Sequence, residues 1–271
     1  MIDRPILEVG VLGVLQGLTE FLPVSSSGHL ALGQLLFGLE EGGLALNVLL
    51  HAGTLLATAL VLRAPLWEAI VGGASALRRP SRFTTTNGGR DALVIGLAML
   101  PTAALGIALR DTVERWTSSP LAVGTGFLVT TLLLASSRWA PEGDDASPVW
   151  WVALLIGLAQ GLAVFPGVSR SGATICVALW LGVKRDRAFE LSMLVSLPAV
   201  LGAVILELPR LSLGALGLDV ALIGAAIAFG VGIGALVLLR GAVVRGHFPL
   251  FAAWTLPLAI ATLAMAQAWP N

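Results

Sequence analysis

Residues 15–30 read LQGLTEFLPVSSSGHL and residues 159–174 read AQGLAVFPGVSRSGAT, so a polar, proline-bearing knot stands twice in the chain, each time between apolar runs. At an ungapped offset of 144 residues, Gly13, Gln16, Gly17, Leu18, Phe21, Val24, Ser25, Ser27 and Gly28 recur as Gly157, Gln160, Gly161, Leu162, Phe165, Val168, Ser169, Ser171 and Gly172. The surroundings of each knot are greasy: 56% of the residues are hydrophobic and only 12% are charged, against about a quarter in soluble domains. A bilayer is therefore the solvent to consider. The segments Pro5 to Phe37 and Val149 to Val183 are each too long for one span, and the pieces beyond the breaks at 23–28 and 166–172 are too short for a second, which needs about 20 apolar residues. A re-entrant helix-loop-helix that returns to its own side meets both limits, because irregular backbone at membrane depth is tolerated where protein or a polar cavity surrounds it.

Six further stretches are apolar enough to cross or nearly so: 44–62, 93–109, 121–137, 188–208, 218–239 and 248–269. Cytoplasmic loops collect Lys and Arg, which tests the hairpins. With Arg170 set aside, two returning hairpins sort the basic residues 11 against 4, with Arg63, Arg78, Arg79, Arg82 and Arg90 on the richer face. Two crossing segments would sort them 8 against 7, with no bias. The expectation is an all-α integral membrane protein of six transmembrane helices and two re-entrant hairpins. Both termini lie outside, the 63–92 loop is cytoplasmic, and the knots enter from opposite faces as an inverted-topology repeat. A weaker echo, LPTAALG at 100–106 and LPAVLGA at 197–203, makes residues 1–271 one membrane domain, with halves at about 5–138 and 149–269 and an insertion at about 44–92 in the first half. The N-terminal MIDRPILEVGVLGVL lacks a strongly basic start and is read as retained structure rather than a signal peptide.

The balance of 16 basic and 16 acidic residues gives no sign of a nucleic-acid partner, and the lone Cys176, read as a small core residue, excludes an intrachain disulfide. Each knot has a chemical and a plainer reading. Helix starts at a break expose unpaired N–H groups that suit an anion, and the guanidinium of Arg170 is costly inside a membrane unless an anion or polar cavity receives it; its plainer role is an ion pair with Glu20. Gln16 and Glu20 share one helical face. Glu20 is read as a proton acceptor, metal ligand or arginine partner, and Gln16 as an interhelical hydrogen bond or a cavity-lining group. Ser25, Ser26, Ser27 and His29 gather hydroxyls and an imidazole within a turn, and a serine becomes nucleophilic when a base such as His29 or Glu20 takes its proton; the same serines also cap helices. Ser26 occupies the place that Arg170 holds in the other knot. Thr174 either adds a hydrogen bond or back-bonds to its own helix. Asn47, His51, Thr54 and Thr58 form a polar stripe facing the same cavity or a neighbouring helix. Ser192 and Ser196 are read as packing, His247 as solvated, and Trp67, Trp116, Trp139, Trp150, Trp151 and Trp269 as an interfacial belt.

QGLTEFLPVSSSGH, with its Glu/Gln-xxx-Glu pattern, and PGVSRSGAT resemble the two signatures of the undecaprenyl-diphosphate phosphatases, the bacitracin-resistance membrane family, and HAGTLLA at 51–57 is similar to the family's next segment. The resemblance covers essentially the whole chain. It implies hydrolysis of the C55 isoprenyl diphosphate to its monophosphate in the bacterial inner membrane, recycling a lipid carrier for cell-wall synthesis; the first hairpin's entry from outside puts the expected chemistry on the outer side. It implies Ser26 as nucleophile, Glu20, His29 and Arg170 as essential around it, and Ser169 and Thr174 in support. Gln16, Ser25, Ser27, His51 and Ser171 complete the expected substrate-binding set. The first acidic position of the motif is Gln16 here, which argues against Gln16 as base or strong metal ligand and shifts weight to Glu20. A stimulating divalent cation, Mg2+ or Ca2+, would be held by Glu20 with the substrate's phosphates. Expected partners are the lipid diphosphate and membrane lipids, with a homodimer left open. A rival class stands beside this, because inverted repeats with broken helices also build secondary transporters, and a prenyl-phosphate flippase would use the same anion site.

Overall fold

A computed structural model describes residues 4–30, 43–117, 119–143, 150–207 and 217–268. Among the described residues it is helical throughout, with no strand. The first half comprises α1 (Arg4–Thr19), the 26–30 portion of α2, α3 (Gly43–Val61), α4 (Arg63–Arg78), α5 (Arg82–Thr85), α6 (Asn87–Ala108), α7 (Arg110–Thr117) and α8 (Pro120–Ser136). The second comprises α9 (Trp150–Leu162), α10 (Arg170–Trp180), α11 (Arg185–Glu207), α12 (Leu218–Val244) and α13 (Ala252–Ala268), the last preceded by a 3₁₀ turn at Phe248–Phe251. Five of the described helices are long and apolar enough to cross a bilayer: α6, α8 with its 3₁₀ extension to Trp139, α11, α12 and the Phe248–Ala266 segment. The chain is a multi-pass membrane protein. Trp67, Trp116, Trp139, Trp150 and Trp151 are all exposed; Trp269 and residues 31–37 of the first broken segment lie outside the described residues.

The expected loop at 63–92 is helical instead. α3 and α4 meet at a bend of 83°, and together they form a sixth candidate span. The bend has a local cause: Pro65 removes the N–H that would bond the carbonyl of Val61, and its ring crowds that carbonyl, so the helix breaks at Leu62. α4 continues because Leu66, Ala69, Gly73 and Ala76 recur at helical spacing, with Ala69 and Ala76 buried, and α4 lies against α6 where Gly72 meets the backbone of Gly88 and Gly89. Arg63 and Arg78 stand at the two ends of α4, so charge at its termini hides a helical period within.

The broken segments are short helices. α1 has 16 residues and α9 has 13, about 24 and 20 Å at the helical rise. α1 packs chiefly along α12 and α9 along α6, and the repeated glycines make the approach possible. A Cβ at Gly13 would stand 2.7 Å from the carbonyl oxygen of Gly224, and one at Gly157 would collide with that of Ala98. Small residues let backbones touch where no water is expelled to drive association. α8 stands between the knots: Phe127 packs against Gly28 and His29 of one, while Gly126 abuts Pro166 and Gly167 of the other.

Candidate functional site

Both knots end by starting a helix at the same point of the repeat, Ser26 and Arg170, each following a serine. In the second knot the cap is regular. Ser169 has φ −80° and ψ 119°, and its hydroxyl accepts from the backbone N–H of Gly172 at 3.1 Å. Thr130 of α8 ties this turn down, donating to the Gly167 carbonyl at 2.9 Å and accepting from the Ser169 N–H at 2.9 Å. Both backbone groups are buried and have no water to turn to. Thr130→Val is therefore expected to lower stability by about 2–4 kcal/mol, two unmet backbone groups at about 1–2 each, while Thr130→Ser should keep most of it; denaturant unfolding in detergent measures both.

The two knots meet on one carboxylate. Glu20, 8% exposed, follows α1 directly. Its Oε1 receives the Arg170 guanidinium in an ion pair. Its Oε2 accepts from the Ser26 hydroxyl at 2.7 Å and from Gln16 Nε2 at 3.1 Å. His51 of α3 reaches the same oxygen, Nε2 lying 3.5 Å away. The ring's Nδ1 is 2.8 Å from the Asn47 carbonyl, which only accepts, so Nδ1 carries a hydrogen and the ring is held with Nε2 toward Glu20. Gln16, Glu20, Ser26, His51 and Arg170 thus come together from α1, α2, α3 and α10. The ion pair of the plainer reading is present, and it leaves most of a five-donor guanidinium beside the serine.

Other expected site residues are engaged elsewhere. His29 does not meet Glu20: its Nδ1 is 2.8 Å from the Ser25 carbonyl, its Nε2 accepts from Trp254 Nε1 at 3.3 Å, and its ring faces Phe127. Ser25 and Ser27 bond each other at 3.3 Å, as Ser169 and Ser171 do at 3.2 Å. Thr174 back-bonds to the Arg170 carbonyl at 2.8 Å and pairs with Ser192, and Ser196 bonds the Met193 carbonyl. Thr54 and Thr58 bond carbonyls of their own helix. These hydroxyls build and join helices. Nothing local in the sequence marks Trp254, Phe127 or Thr130, because their contacts join residues far apart in the chain.

The donor set also bears on a cation. Gln16 Oε1 is buried with no hydrogen-bond partner, as is its repeat counterpart Gln160 Oε1. Gln16 turns its Nε2, not its Oε1, toward Glu20, so the carboxylate of Glu20 is the hard oxygen donor here of the kind Mg2+ and Ca2+ use. Among the described residues no group of three or more His, Cys, Asp or Glu could hold a metal, so a divalent ion fits only with phosphate oxygens completing its shell.

Comparison with known proteins brings one family forward. The family described as bacitracin resistance protein BacA matches residues 9–261. A protein of Desulfosudis oleivorans named undecaprenyl-diphosphatase is 43% identical over 270 residues, 93% of this chain and 96% of its own. Proteins of the same name from Desulfatibacillum aliphaticivorans and Korarchaeum cryptofilum are 40% and 39% identical, covering 91% and 94% of this chain and 93% and 97% of theirs.

Proposed function

The chain belongs to the bacitracin resistance protein BacA family, and from that premise we propose that it is an undecaprenyl-diphosphatase, hydrolysing undecaprenyl diphosphate to undecaprenyl phosphate and inorganic phosphate, with Ser26 as the nucleophile. The observation that carries this is the hydrogen bond of 2.7 Å from Ser26 Oγ to Glu20 Oε2, on a carboxylate whose other oxygen holds Arg170. Glu20 takes the hydroxyl proton as Oγ bonds to the terminal phosphorus. The bond from that phosphorus to the bridging oxygen breaks, and undecaprenyl phosphate leaves with the proton. A water then attacks the phosphoserine, giving a proton to Glu20 while Ser26 Oγ recovers one, and inorganic phosphate departs. Arg170 and the N–H groups at the start of α2 hold the transferring phosphoryl group, so catalysis is chiefly positioning and charge stabilisation. Glu20, with the substrate's phosphates, would hold a Mg2+ or Ca2+, which would neutralise phosphate charge.

The same geometry supports the finer topology. α1 and α9 are too short to span, and each leans on a long helix of the other half, α12 and α6 respectively, as the two copies of an inverted repeat would. The two broken segments then enter as re-entrant hairpins from opposite leaflets of a bacterial inner membrane, the arginines of 63–92 facing the cytoplasm, both termini outside and the site open to the outer side. Membrane lipids cover the exposed apolar side chains, and a homodimer is compatible with this arrangement.

Purified protein in detergent supplied with undecaprenyl diphosphate should release inorganic phosphate, and acid quenching at early times should trap phosphate on Ser26. A carrier built on the same anion site would release none, and that result would overturn the proposal.

A further inference from the structure

We propose that His29 serves the reaction as a positioning residue, clamped by Trp254, which holds the Ser25 carbonyl and with it the turn that presents Ser26. The proposal rests on Ser26 being the nucleophile. Ser25 has φ 69°, and it is the sole non-glycine residue with positive φ among the described residues. An L-residue with a side chain adopts this left-handed region at a cost, and such outliers persist where the surroundings hold them. The internal repeat supplies the control: the counterpart Ser169 has φ −80°. The unusual backbone is therefore confined to the copy that carries the nucleophile, one residue before it.

What holds it is visible. His29 Nδ1 lies 2.8 Å from the Ser25 carbonyl oxygen, while the helical N–H of His29 reaches that oxygen at 3.4 Å. A carbonyl only accepts and an indole N–H only donates, so the contacts fix the tautomer: Nδ1 carries the hydrogen, and the lone pair of Nε2 is taken by Trp254. The ring cannot turn freely, since Phe127 meets it edge-on at 5.7 Å and 89°, and the Trp254 ring lies nearly parallel to it, 12° between planes. Among the described residues no other titratable side chain hydrogen-bonds or pairs with this ring. Both nitrogens are occupied, and neither contact is with Ser26 or Glu20. The arrangement suits bracing the turn. It does not suit receiving the Ser26 proton, which already points at Glu20.

Two substitutions separate bracing from proton transfer. His29→Asn keeps an amide N–H near the place of Nδ1 but cannot carry a proton between partners; His29→Leu keeps bulk and has no donor. With undecaprenyl diphosphate as substrate, His29→Asn is expected within about tenfold of wild-type kcat, the scale of one weakened hydrogen bond, whereas His29→Leu falls by about 100-fold or more, with KM little changed in both. If Asn is as inactive as Leu, at the roughly 10²- to 10⁴-fold loss of a missing acid–base group, the proposal is wrong. Trp254→Phe keeps a ring and removes the donor. It should lower kcat about three- to tenfold, change the 15N resonance of His29 Nε2, resolvable in a chain with 3 histidines, and add nothing to His29→Leu. An unchanged resonance and unchanged kcat would remove Trp254 from the account. Wild-type protein that releases no phosphate defeats the phosphatase proposal instead, and the nitrogen resonance still tests the clamp.

Discussion

Ser26→Ala is expected to lower kcat for phosphate release by about 10⁴-fold or more, the scale seen when a covalent nucleophile is deleted from an intact site, while KM changes only a few-fold. The split follows from the division of labour. The phosphate grip belongs to Arg170 and the N–H groups of α2, which the substitution leaves in place, whereas the bond to phosphorus belongs to one oxygen. Neighbouring hydroxyls offer no substitute, because Ser25 and Ser27 are bonded to each other and neither contacts Glu20. Alanine also suits a helix start poorly but not prohibitively, so the protein should remain folded. Thermal unfolding beside the kinetics checks that, and phosphate release above about 1% of wild type would show that another group attacks.

Glu20→Gln has the second largest expected effect and acts on two levels. The amide is nearly isosteric yet cannot take the Ser26 proton, so kcat should fall about 10³-fold, within the range of a lost general base. It also removes the anion opposite Arg170, whose side chain is 22% exposed while that of Glu20 is 5%. Deleting one partner of a buried pair costs about 3–5 kcal/mol; the partial exposure of the guanidinium reduces this to about 2–4 kcal/mol. Arg170→Gln added to Glu20→Gln should restore part of that stability and none of the activity, since each leaves the other's charge uncompensated. Denaturant unfolding of the single and double variants measures it. A single variant as stable as wild type would mean that the two hairpins are not joined through this pair.

The doubled knot was the legible part of the molecule. Its sequence placed both helix breaks, and the offset of 144 residues carries Ser26 onto Arg170 as the first residues of α2 and α10. The meeting of Glu20 and Arg170 is likewise readable as an ion pair, because a buried charge needs an opposite charge, whereas Gln16 and His51 each read equally as helix packing until the structure turns them to Glu20. What escaped was whatever depends on direction rather than spacing. A histidine one turn after Ser26 reads as its base, yet the ring turns toward α8 and α13, because aromatic partners and a carbonyl acceptor lie there. For Ser169, Ser171 and Thr174 the plainer bonds are the ones present: the serines meet each other and the Gly172 N–H at a helix start, and Thr174 bonds the Arg170 carbonyl and Ser192. α4 was missed for a different reason: its terminal arginines masked a helical period that the glycine contact with α6 stabilises.

Cys176 is fully buried, its thiol donating to the Leu133 carbonyl at 3.2 Å. The native chain is therefore mute toward water-soluble maleimides without any engineering, a natural blank for accessibility mapping. Trp67→Cys should then be labelled in inside-out vesicles and Glu114→Cys in right-side-out ones, and the opposite assignment would turn the whole protein over in its membrane.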